Sequence, residues 1–384
     1  MAETTLLTST GNRQIDDILR EVIGVFEAAF PGRTRAYHLV GSYADGTALP
    51  ESDIDFGVLF KGRMEEAEAQ KAWQLSQSLA LISPVYLDFM AAGENELLHA
   101  DDVTLKLASR LIYGEDIRDA IQLPSLEAYI RHCTSGAVTI ASARLRKRDV
   151  IVYPLDYPDP SGEFLGYSHE PAADGSFGAD IGPLKWLVVV VGRAAQSILA
   201  LREGQYVATR AACLQTYRER INDQWADFIE DIYVLCRARW RYSVPSTTAE
   251  RQTLRDLCEH TLAFENRFLD LYRSYLLQEL RRGDEEPVWV SPSAFRYQTG
   301  LSGEGSRERI ERATVTTKDK GGLNMRLVRN FRAIYAAHVL QKIIYPDEET
   351  VAALQAAEES DDAELCDAAR EARLGAEAAR AKSL

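Results

Sequence analysis

The sequence predicts an α+β protein in which a small mixed β-sheet domain with flanking helices is followed by an α-helical domain. Two observations lead to this prediction. Apolar side chains recur with a helical period over residues 15–30, whereas residues 53–60 and 84–90 alternate apolar and polar side chains as strands do. Beyond residue 183 helical spacing dominates. We therefore expect three parts, at 1–122, 123–345 and 346–384, in a chain of 384 residues.

The first domain is predicted element by element. The helix over 15–30 stops at Pro31-Gly32, which cannot continue a helix. The elements that follow are a short apolar stretch at 38–40, a strand at 53–60, a helix at 63–80, a strand at 84–90 and a helix at 94–112. Gly114 is expected to cap the last of these helices.

The second domain is expected to consist of helices and two long irregular segments. Residues 151–183 contain five prolines and five glycines, which predicts a long loop or lid. Residues 283–322 form another stretch rich in Gly, Pro and Ser, expected to be mobile. Trp186–Leu201 is predicted to be helical because of its length and its polar Arg193 and Gln196. The alanine-rich, acidic tail is expected to be a solvated helix or disordered.

The balance of acidic and basic residues argues against nucleic acid as a general binding partner. The chain carries 44 Lys and Arg against 58 Asp and Glu, a net charge of −14. Residues 346–384 alone hold 11 acidic and four basic residues. A general nucleic-acid-binding surface normally carries a basic excess, so we expect none here. The oligomeric state is left open.

The cysteines and the apolar runs indicate a compartment. The five cysteines are widely spaced and include no C-x-x-C pair, which favours reduced thiols over a disulfide framework or a zinc site. The apolar run Trp186–Val191 is too short to span a bilayer, and the first residues have no signal-peptide pattern. These features predict a soluble, cytoplasmic protein without a membrane segment.

The most informative segment runs from Gly41-Ser42 to Asp53-Ile54-Asp55. Two carboxylates at positions i and i+2 of a strand lie on the same face and repel each other unless a cation joins them. With Mg²⁺ they become ordinary oxygen ligands, and phosphate oxygens can complete the coordination. A Gly-Ser pair at the end of a strand lets the backbone N–H groups and the Ser42 hydroxyl approach such phosphates. Asp88, on the polar face of the next strand, adds a third carboxylate that could bind metal or accept a proton.

This combination resembles the nucleotidyltransferase superfamily that includes DNA polymerase β and the aminoglycoside nucleotidyltransferases. Its signature of a Gly-Ser turn, an acid-x-acid strand and a later third acid matches Val40-Gly41-Ser42, Asp53-Ile54-Asp55 and Asp88, over about residues 15–120. The resemblance implies that Asp53, Asp55 and Asp88 are catalytic and hold Mg²⁺, while Gly41 and Ser42 bind the nucleotide.

The helical half also resembles the aminoglycoside adenylyltransferases, through the segment Gly204–Ala212. In this segment the chain has Thr209-Arg210 at the position where the family usually has Ser-Lys. This resemblance implies that Arg210 contacts the triphosphate in place of the family's lysine. An arginine can serve the same purpose through a bidentate contact.

The function expected from these features is transfer of a nucleoside monophosphate, most simply AMP from ATP, to an acceptor hydroxyl with release of pyrophosphate. The acceptor is expected to be a small molecule, with an aminoglycoside-like compound as the candidate that the resemblance implies. Three alternatives share the same residues: a cyclic-nucleotide or oligonucleotide second-messenger synthase, an antitoxin-like enzyme that nucleotidylates proteins, and a non-catalytic nucleotide sensor. The identity of the acceptor and the base preference are not encoded in any motif of the chain.

Overall fold

The computed structural model describes residues 4–50, 52–95, 103–168, 182–282, 287–301, 305–320 and 323–383. The chain forms two compact units. The first comprises Met1–Ser125 together with two short segments from later in the chain, Tyr206–Ala212 and Asp319–Leu323. The second comprises Leu126–Gln205, Cys213–Lys318 and Asn324–Leu384. The architecture is α+β, with the mixed sheet in the first unit and a chain that is mainly helical after it.

The first unit is built on a four-stranded sheet. Its strands are β1 (Thr34–Leu39), β2 (Ile54–Phe60), β3 (Leu87–Gly93) and β4 (Arg110–Gly114). They lie in the order β3-β2-β1-β4. β1 is antiparallel to β2 and to β4, whereas β2 and β3 are parallel, so the sheet is mixed as predicted.

Helices cover this sheet and complete its core. They are α1 (Arg13–Ala29), α2 (Gly41–Asp45), α3 (Glu66–Ile82), α4 (Val103–Ala108) and a 3₁₀ turn at Arg118–Ala120. Helix α1 begins where the Asn12 side chain accepts a hydrogen bond from the Gln14 N–H at 3.0 Å. Its apolar stripe, which includes Ile18 and Phe26, shares one core with Phe56 and Val58 of the sheet.

The prediction of one helix over 94–112 is wrong in its C-terminal half. Residues 96–102 lie outside the described residues; α4 follows them, and the chain then turns into strand β4. Gly114 ends that strand and does not cap a helix. It has φ +91°, and a Cβ there would lie 2.3 Å from the Arg35 carbonyl oxygen, so the close pairing of β4 with β1 requires glycine. The apolar residues Leu111–Tyr113 fit a strand as well as a helix end, and pairing with β1 decided between the two.

The remainder of the chain is dominated by helices. They are α5 (Leu126–Thr139), α6 (Lys185–Glu203), α7 (Arg210–Arg220), α8 (Trp225–Asp231), α9 (Thr248–Arg281), α10 (Pro292–Thr299), α11 (Gly305–Ala313), α12 (Phe331–Lys342), α13 (Glu348–Ala357) and α14 (Ala363–Ser383). Helices α5 and α8 continue as π-helical stretches, at Ile140–Arg146 and Ile232–Arg239 respectively. The prediction of a helix at Trp186–Leu201 is confirmed by α6. No helix in the described parts of the chain combines the length and the apolar character needed to cross a membrane.

Short strands accompany these helices. β5 (Ile151–Val152) pairs in parallel with β9 (Ile343–Ile344). A three-stranded sheet has the order β6-β8-β7, formed by β6 (Val288–Val290), β7 (Thr314–Lys320) and β8 (Leu323–Val328).

The prediction that 283–322 lacks regular structure is therefore wrong for its described residues. The stretch contains β6, α10, α11 and β7. Helix α10 begins with the signals expected of a helix start: Ser291 accepts a hydrogen bond from the Ala294 N–H at 3.1 Å, and Pro292 occupies the first helical position. The Pro and Ser that suggested a loop are here the start of a helix.

Residues 151–168 of the predicted loop at 151–183 are irregular apart from β5, while 169–181 lie outside the described residues. The irregular part is nonetheless anchored. The side chains of Phe164, Leu165 and Tyr167 are buried, and the buried Glu265 accepts hydrogen bonds from Tyr167 and Arg146. These buried contacts, and not regular secondary structure, fix the backbone there.

Of the two alternatives predicted for the tail, a solvated helix or disorder, the helix is confirmed, but the prediction that it is solvated on all sides is wrong. The tail forms α13 and α14, and Ala368, Ala369, Ala372 and Ala376 of α14 are buried. Residues spaced by about four lie on one face of a helix, and alanine there permits close approach to a neighbouring element. Of the acidic residues of α14, Glu371 and Glu377 are exposed, whereas Glu364 is buried.

Candidate functional site

Three aspartates lie on one face of the first sheet, at the end where β2 begins. Asp53 immediately precedes β2 and Asp55 is its second residue, so their side chains point to the same side. The parallel register of β2 and β3 pairs Asp55 with Asp88, and the Ile54 N–H donates to the Tyr86 carbonyl at 2.9 Å. Residues paired across a ladder share a face, so the structure brings together the three acids that the sequence singled out.

The charges of these side chains affect one another. Burial by the surrounding protein raises the pKa of Asp88 above its usual range, and the nearby Asp53 carboxylate raises it further. The Asp88 side chain nevertheless keeps an exposed surface. The hydroxyl of Tyr86 responds to the same charges, because desolvation and the carboxylates of Asp88 and Asp53 raise its pKa. Asp88 is thus a carboxyl group whose affinity for a proton is increased while substrate can still reach it.

Gly41 and Ser42 lie directly beside Asp55. Strand β1 ends at Leu39, and the five-residue helix α2 begins at Gly41. The Val40 N–H donates to the Asp55 carbonyl at 3.1 Å, which fixes the start of this turn against β2. Gly41 has φ +64°, and a Cβ there would lie 2.0 Å from the Asp55 Oδ2 atom. The sequence therefore needs glycine for two reasons, its backbone conformation and the space occupied by the Asp55 carboxylate.

Three further hydrogen bonds close the turn. Asp45 Oδ1 accepts hydrogen bonds from the Thr47 N–H at 3.0 Å and the Thr47 hydroxyl at 2.6 Å. The Arg110 Nη2 donates to the Ala44 carbonyl at 2.8 Å. Sequence reasoning missed Arg110 because it placed this residue in the helix predicted over 94–112. The β-prone run Leu111–Tyr113 was the signal that could have placed Arg110 on a strand beside β1.

Arg210 is the first residue of α7 and is half-buried. Its segment, Tyr206–Ala212, groups with the first unit although it lies far along the chain. The Tyr206 hydroxyl donates to the Pro124 carbonyl at 2.5 Å, which ties this segment to the end of the unit's main part. Arg210 therefore belongs to the same compact unit as the three aspartates.

The carboxylate oxygens of the three aspartates suit a divalent metal ion that prefers oxygen ligands, such as Mg²⁺. Within the described ranges, no group of three or more His, Cys, Asp and Glu side chains has the arrangement of a metal site on its own. Carboxylate oxygens are the donors that Mg²⁺ prefers, and Mg²⁺ is commonly held by one or two carboxylates with substrate phosphates and water as the other ligands. Asp53 and Asp55 fit such a shared site better than a site built from protein alone.

A mixed sheet with an acid-x-acid strand beside a Gly-Ser turn defines a class of domain, and comparison with known families gives the same class. Residues 19–113 match the family model described as a nucleotidyltransferase domain. The match begins within α1 and runs through β4, so it includes the Gly-Ser turn and all three aspartates. The chain therefore contains a domain of the nucleotidyltransferase family, and the resemblance drawn from the motif is confirmed.

Among curated proteins the chain is similar to aminoglycoside (3'') (9) adenylyltransferases. It is 32% identical to those of Shigella flexneri and Escherichia coli over 99 residues, which are 26% of this chain and 34% of those proteins. It is 34% identical to that of Klebsiella pneumoniae over 94 residues, which are 24% of this chain and 32% of that protein. The chain thus spans about a third of the length of the curated relatives it matches.

Two solved structures show weaker likeness. One is spectinomycin adenyltransferase AAD(9) from Enterococcus faecialis with ATP and spectinomycin, at 10% identity and a TM-score of 0.36, covering 66% of this chain and 96% of that one. The other is a toxin-antitoxin with AMP-PNP, at 22% identity and a TM-score of 0.20, covering 26% of this chain and 76% of that one. Scores of this size support no conclusion about this chain.

Proposed function

We propose that this chain is a Mg²⁺-dependent adenylyltransferase that moves AMP from ATP to a hydroxyl group of a small-molecule acceptor and releases pyrophosphate. The observation that carries the proposal is the arrangement around Asp55. Its backbone and side chain contact the Val40–Gly41 turn, and its register partner across the sheet is Asp88. A turn able to meet phosphates, a pair of carboxylates and a third carboxylate thus lie at one end of one sheet.

Each residue has a role in this proposal. Asp53 and Asp55 would hold Mg²⁺, which supplies positive charge to the triphosphate when bound. The backbone and hydroxyl of Gly41-Ser42 would orient the terminal phosphates. Positioning and charge neutralisation supply most of the catalysis in phosphoryl transfer, so this set of groups is sufficient.

Asp88 would act as the base in the transfer step. The acceptor oxygen attacks the α-phosphorus, its proton passes to the Asp88 carboxylate, and the bond from the α-phosphorus to the bridging oxygen breaks as pyrophosphate leaves. The raised pKa of Asp88 favours this role, because a base is most effective when its pKa approaches the working pH. Its exposed surface leaves room for an acceptor.

Arg210 would contribute a positive charge to the triphosphate. Its membership of the first unit supports this role. A guanidinium can contact two phosphate oxygens at once and offset the charge that develops on the leaving pyrophosphate.

The acceptor class rests on the relatives. The matched curated proteins are named aminoglycoside adenylyltransferases, and the match covers the domain that would bind the nucleotide. A polycationic acceptor also suits a site that presents three carboxylates on one face. We therefore propose a cationic small molecule with free hydroxyl groups, such as an aminoglycoside, as acceptor. Separately, we propose the cytoplasm as the compartment in which the protein acts.

Substitution of the metal-binding pair tests the proposal. We expect Asp53→Asn and Asp55→Asn each to lower turnover by at least about two orders of magnitude, because a principal charge-stabilising group is lost. Thermal stability should be unchanged or higher, since one of two neighbouring like charges is removed. Pyrophosphate release and thermal denaturation measure the two effects. Normal turnover in either variant would overturn the proposal, and a large loss of stability would indicate a structural role instead.

Asp88→Asn separates the two roles open to Asp88. If it is the base, ATP·Mg²⁺ should bind as tightly as in the wild type while turnover falls, because an amide accepts no proton. Calorimetric titration with ATP·Mg²⁺ gives the affinity. A variant that no longer binds the nucleotide would assign Asp88 to metal binding.

Incubation with labelled nucleoside triphosphates and Mg²⁺ distinguishes the alternative functions. Release of pyrophosphate only when an aminoglycoside is added supports the proposal. A cyclic or oligomeric product formed without an acceptor would indicate a second-messenger synthase. Label on protein would indicate a protein-modifying enzyme, and saturable binding without turnover would indicate a sensor.

A further inference from the structure

The turn that contains Gly41 and Ser42 is too short to be stable without contacts to the rest of the domain. Helix α2 has five residues, and a single helical turn is unstable without outside contacts. At its start the Val40 N–H donates to Asp55. Near its end the Ser42 carbonyl accepts a hydrogen bond from the Thr47 N–H at 2.9 Å, and the Ala44 carbonyl accepts one from Arg110. These hydrogen bonds, together with the Tyr43 side chain buried in the core of the first unit, orient the turn relative to Asp55.

Arg110 is itself held from two directions. It is the first residue of β4, and its register partner is Leu39, the last residue of β1. Its backbone is thus fixed in the sheet two residues from Gly41. Its side chain makes a second contact, because Nη1 lies 3.3 Å from the Ser9 carbonyl oxygen, to which it donates.

The Ser9 end of this contact is also anchored. The buried Asp16 carboxylate accepts hydrogen bonds from the Ser9 hydroxyl at 2.6 Å and from the Thr10 N–H at 2.8 Å. The Leu7 N–H donates to the Ile112 carbonyl of β4 at 2.9 Å. The Arg110 guanidinium therefore bridges two carbonyl groups, one on a fixed N-terminal segment and one on the short turn.

We propose that Arg110 is a positioning residue, which holds the Gly41–Asp45 turn in the orientation that lets Gly41 and Ser42 meet the triphosphate. This inference rests on the proposed function. Arg110 acts through the Ala44 carbonyl and has no contact with substrate in this role. The planar guanidinium is suited to it because it presents donors on separate nitrogens in fixed directions, whereas a lysine ammonium carries its donors on one nitrogen at the end of a flexible stem.

Calorimetric titration with ATP·Mg²⁺ tests the inference without requiring the acceptor. We expect Arg110→Ala to weaken binding by about tenfold, the scale of one lost charge-assisted hydrogen bond. Arg110→Lys should bind with intermediate affinity. The matched control is Arg33→Ala, because the Arg33 guanidinium also donates to two backbone carbonyls of the same unit, those of Lys61 at 2.9 Å and Arg63 at 3.0 Å, beyond the far end of β2. Its affinity should equal the wild type's.

Two further measurements separate positioning from general destabilisation. Added guanidinium should restore part of the ATP·Mg²⁺ affinity of Arg110→Ala, because it can refill the vacated position between the two carbonyls. In a double-mutant cycle with Ser42→Ala, the combined loss of affinity should be smaller than the product of the separate losses, since both changes act on the same turn.

The outcomes distinguish this inference from the proposed function. Failure of the wild-type protein to bind ATP·Mg²⁺ would overturn the proposed function and this inference with it. Wild-type affinity in both Arg110 variants, or losses that multiply independently in the cycle, would overturn this inference alone. An equal loss in Arg33→Ala would also overturn it, because the effect would then belong to arginine–carbonyl contacts in general.

Discussion

At the scale of single residues, Gly41 is required both by its backbone conformation and by the lack of space for a side chain. It shares a positive φ with Gly46, at +64° and +75° respectively. The two differ in their surroundings. A Cβ at Gly41 would collide with the Asp55 carboxylate, whereas a Cβ at Gly46 would have nothing within 4 Å. This pair therefore separates the cost of backbone strain from the cost of displacing Asp55.

We expect Gly46→Ala to lower the free energy of unfolding by roughly 1 kcal/mol, the cost of a side chain in the left-handed region. Gly41→Ala should lower it by more, because its Cβ must also displace the Asp55 carboxylate. Only Gly41→Ala should also reduce ATP·Mg²⁺ affinity and turnover, by at least about tenfold, because Asp55 must move to make room. Calorimetry, pyrophosphate release and urea denaturation measure these effects. Equal loss of affinity in the two variants would show that the Asp55 contact is unimportant.

At the scale of elements, helix α14 is held by a buried acid near its start. Glu364 is almost inaccessible to solvent, and its Oε1 lies 2.8 Å from His338 Nε2 of α12. Its Oε2 lies 3.3 Å from the Arg312 guanidinium of α11. Arg309, also on α11, extends beyond Glu364 to the exposed Glu371 of α14 at 2.6 Å. Three helices therefore converge on one carboxylate, which explains why an acidic tail folds against the unit.

Glu364→Ala should lower the free energy of unfolding by about 2 kcal/mol, because it leaves the buried His338 Nε2 atom without its hydrogen-bond partner. Glu371→Ala removes the other carboxylate that contacts Arg309, from the same helix. It should cost less than about 1 kcal/mol, because half of its side chain is exposed and water screens the pair. Urea denaturation followed by circular dichroism compares the two. Similar losses would mean that the buried contact does not anchor α14.

At the scale of the whole molecule, the net charge of −14 bears on the choice of partners. Binding to nucleic acid draws most of its affinity from Lys and Arg that displace counterions from phosphates. A chain with 58 acidic and 44 basic residues lacks that excess overall. The same charge favours the approach of a cationic acceptor.

We therefore expect no binding of labelled duplex DNA or RNA in fluorescence anisotropy at low salt, where electrostatic attraction is strongest. A cationic aminoglycoside should bind more weakly as salt is raised, because screening reduces its attraction to the acidic chain. Salt-dependent binding of duplex nucleic acid would contradict the expectation that the chain has no general nucleic-acid-binding surface.

The sequence by itself indicated the strands β2 and β3, the helices α1, α3 and α6, and the three aspartates as candidate site residues. These features depend on local properties: hydrophobic period, turn residues and the pairing of two acids on one strand face. Asp53 and Asp55 share a face wherever the strand lies, so their proximity needed no tertiary information. The Gly-Ser turn could be placed for the same reason, since it directly follows a strand.

Only the tertiary structure decided the remainder. Leu111–Tyr113 has no pattern that separates a helix end from a strand, and pairing with β1 made it β4 and so directed Arg110 to the turn. The acidic tail has a composition typical of solvated segments, but a partner face for its alanines and a site for Glu364 made it part of a core. In both cases the deciding contacts join residues far apart in sequence, and no local pattern encodes which distant partner a segment will meet.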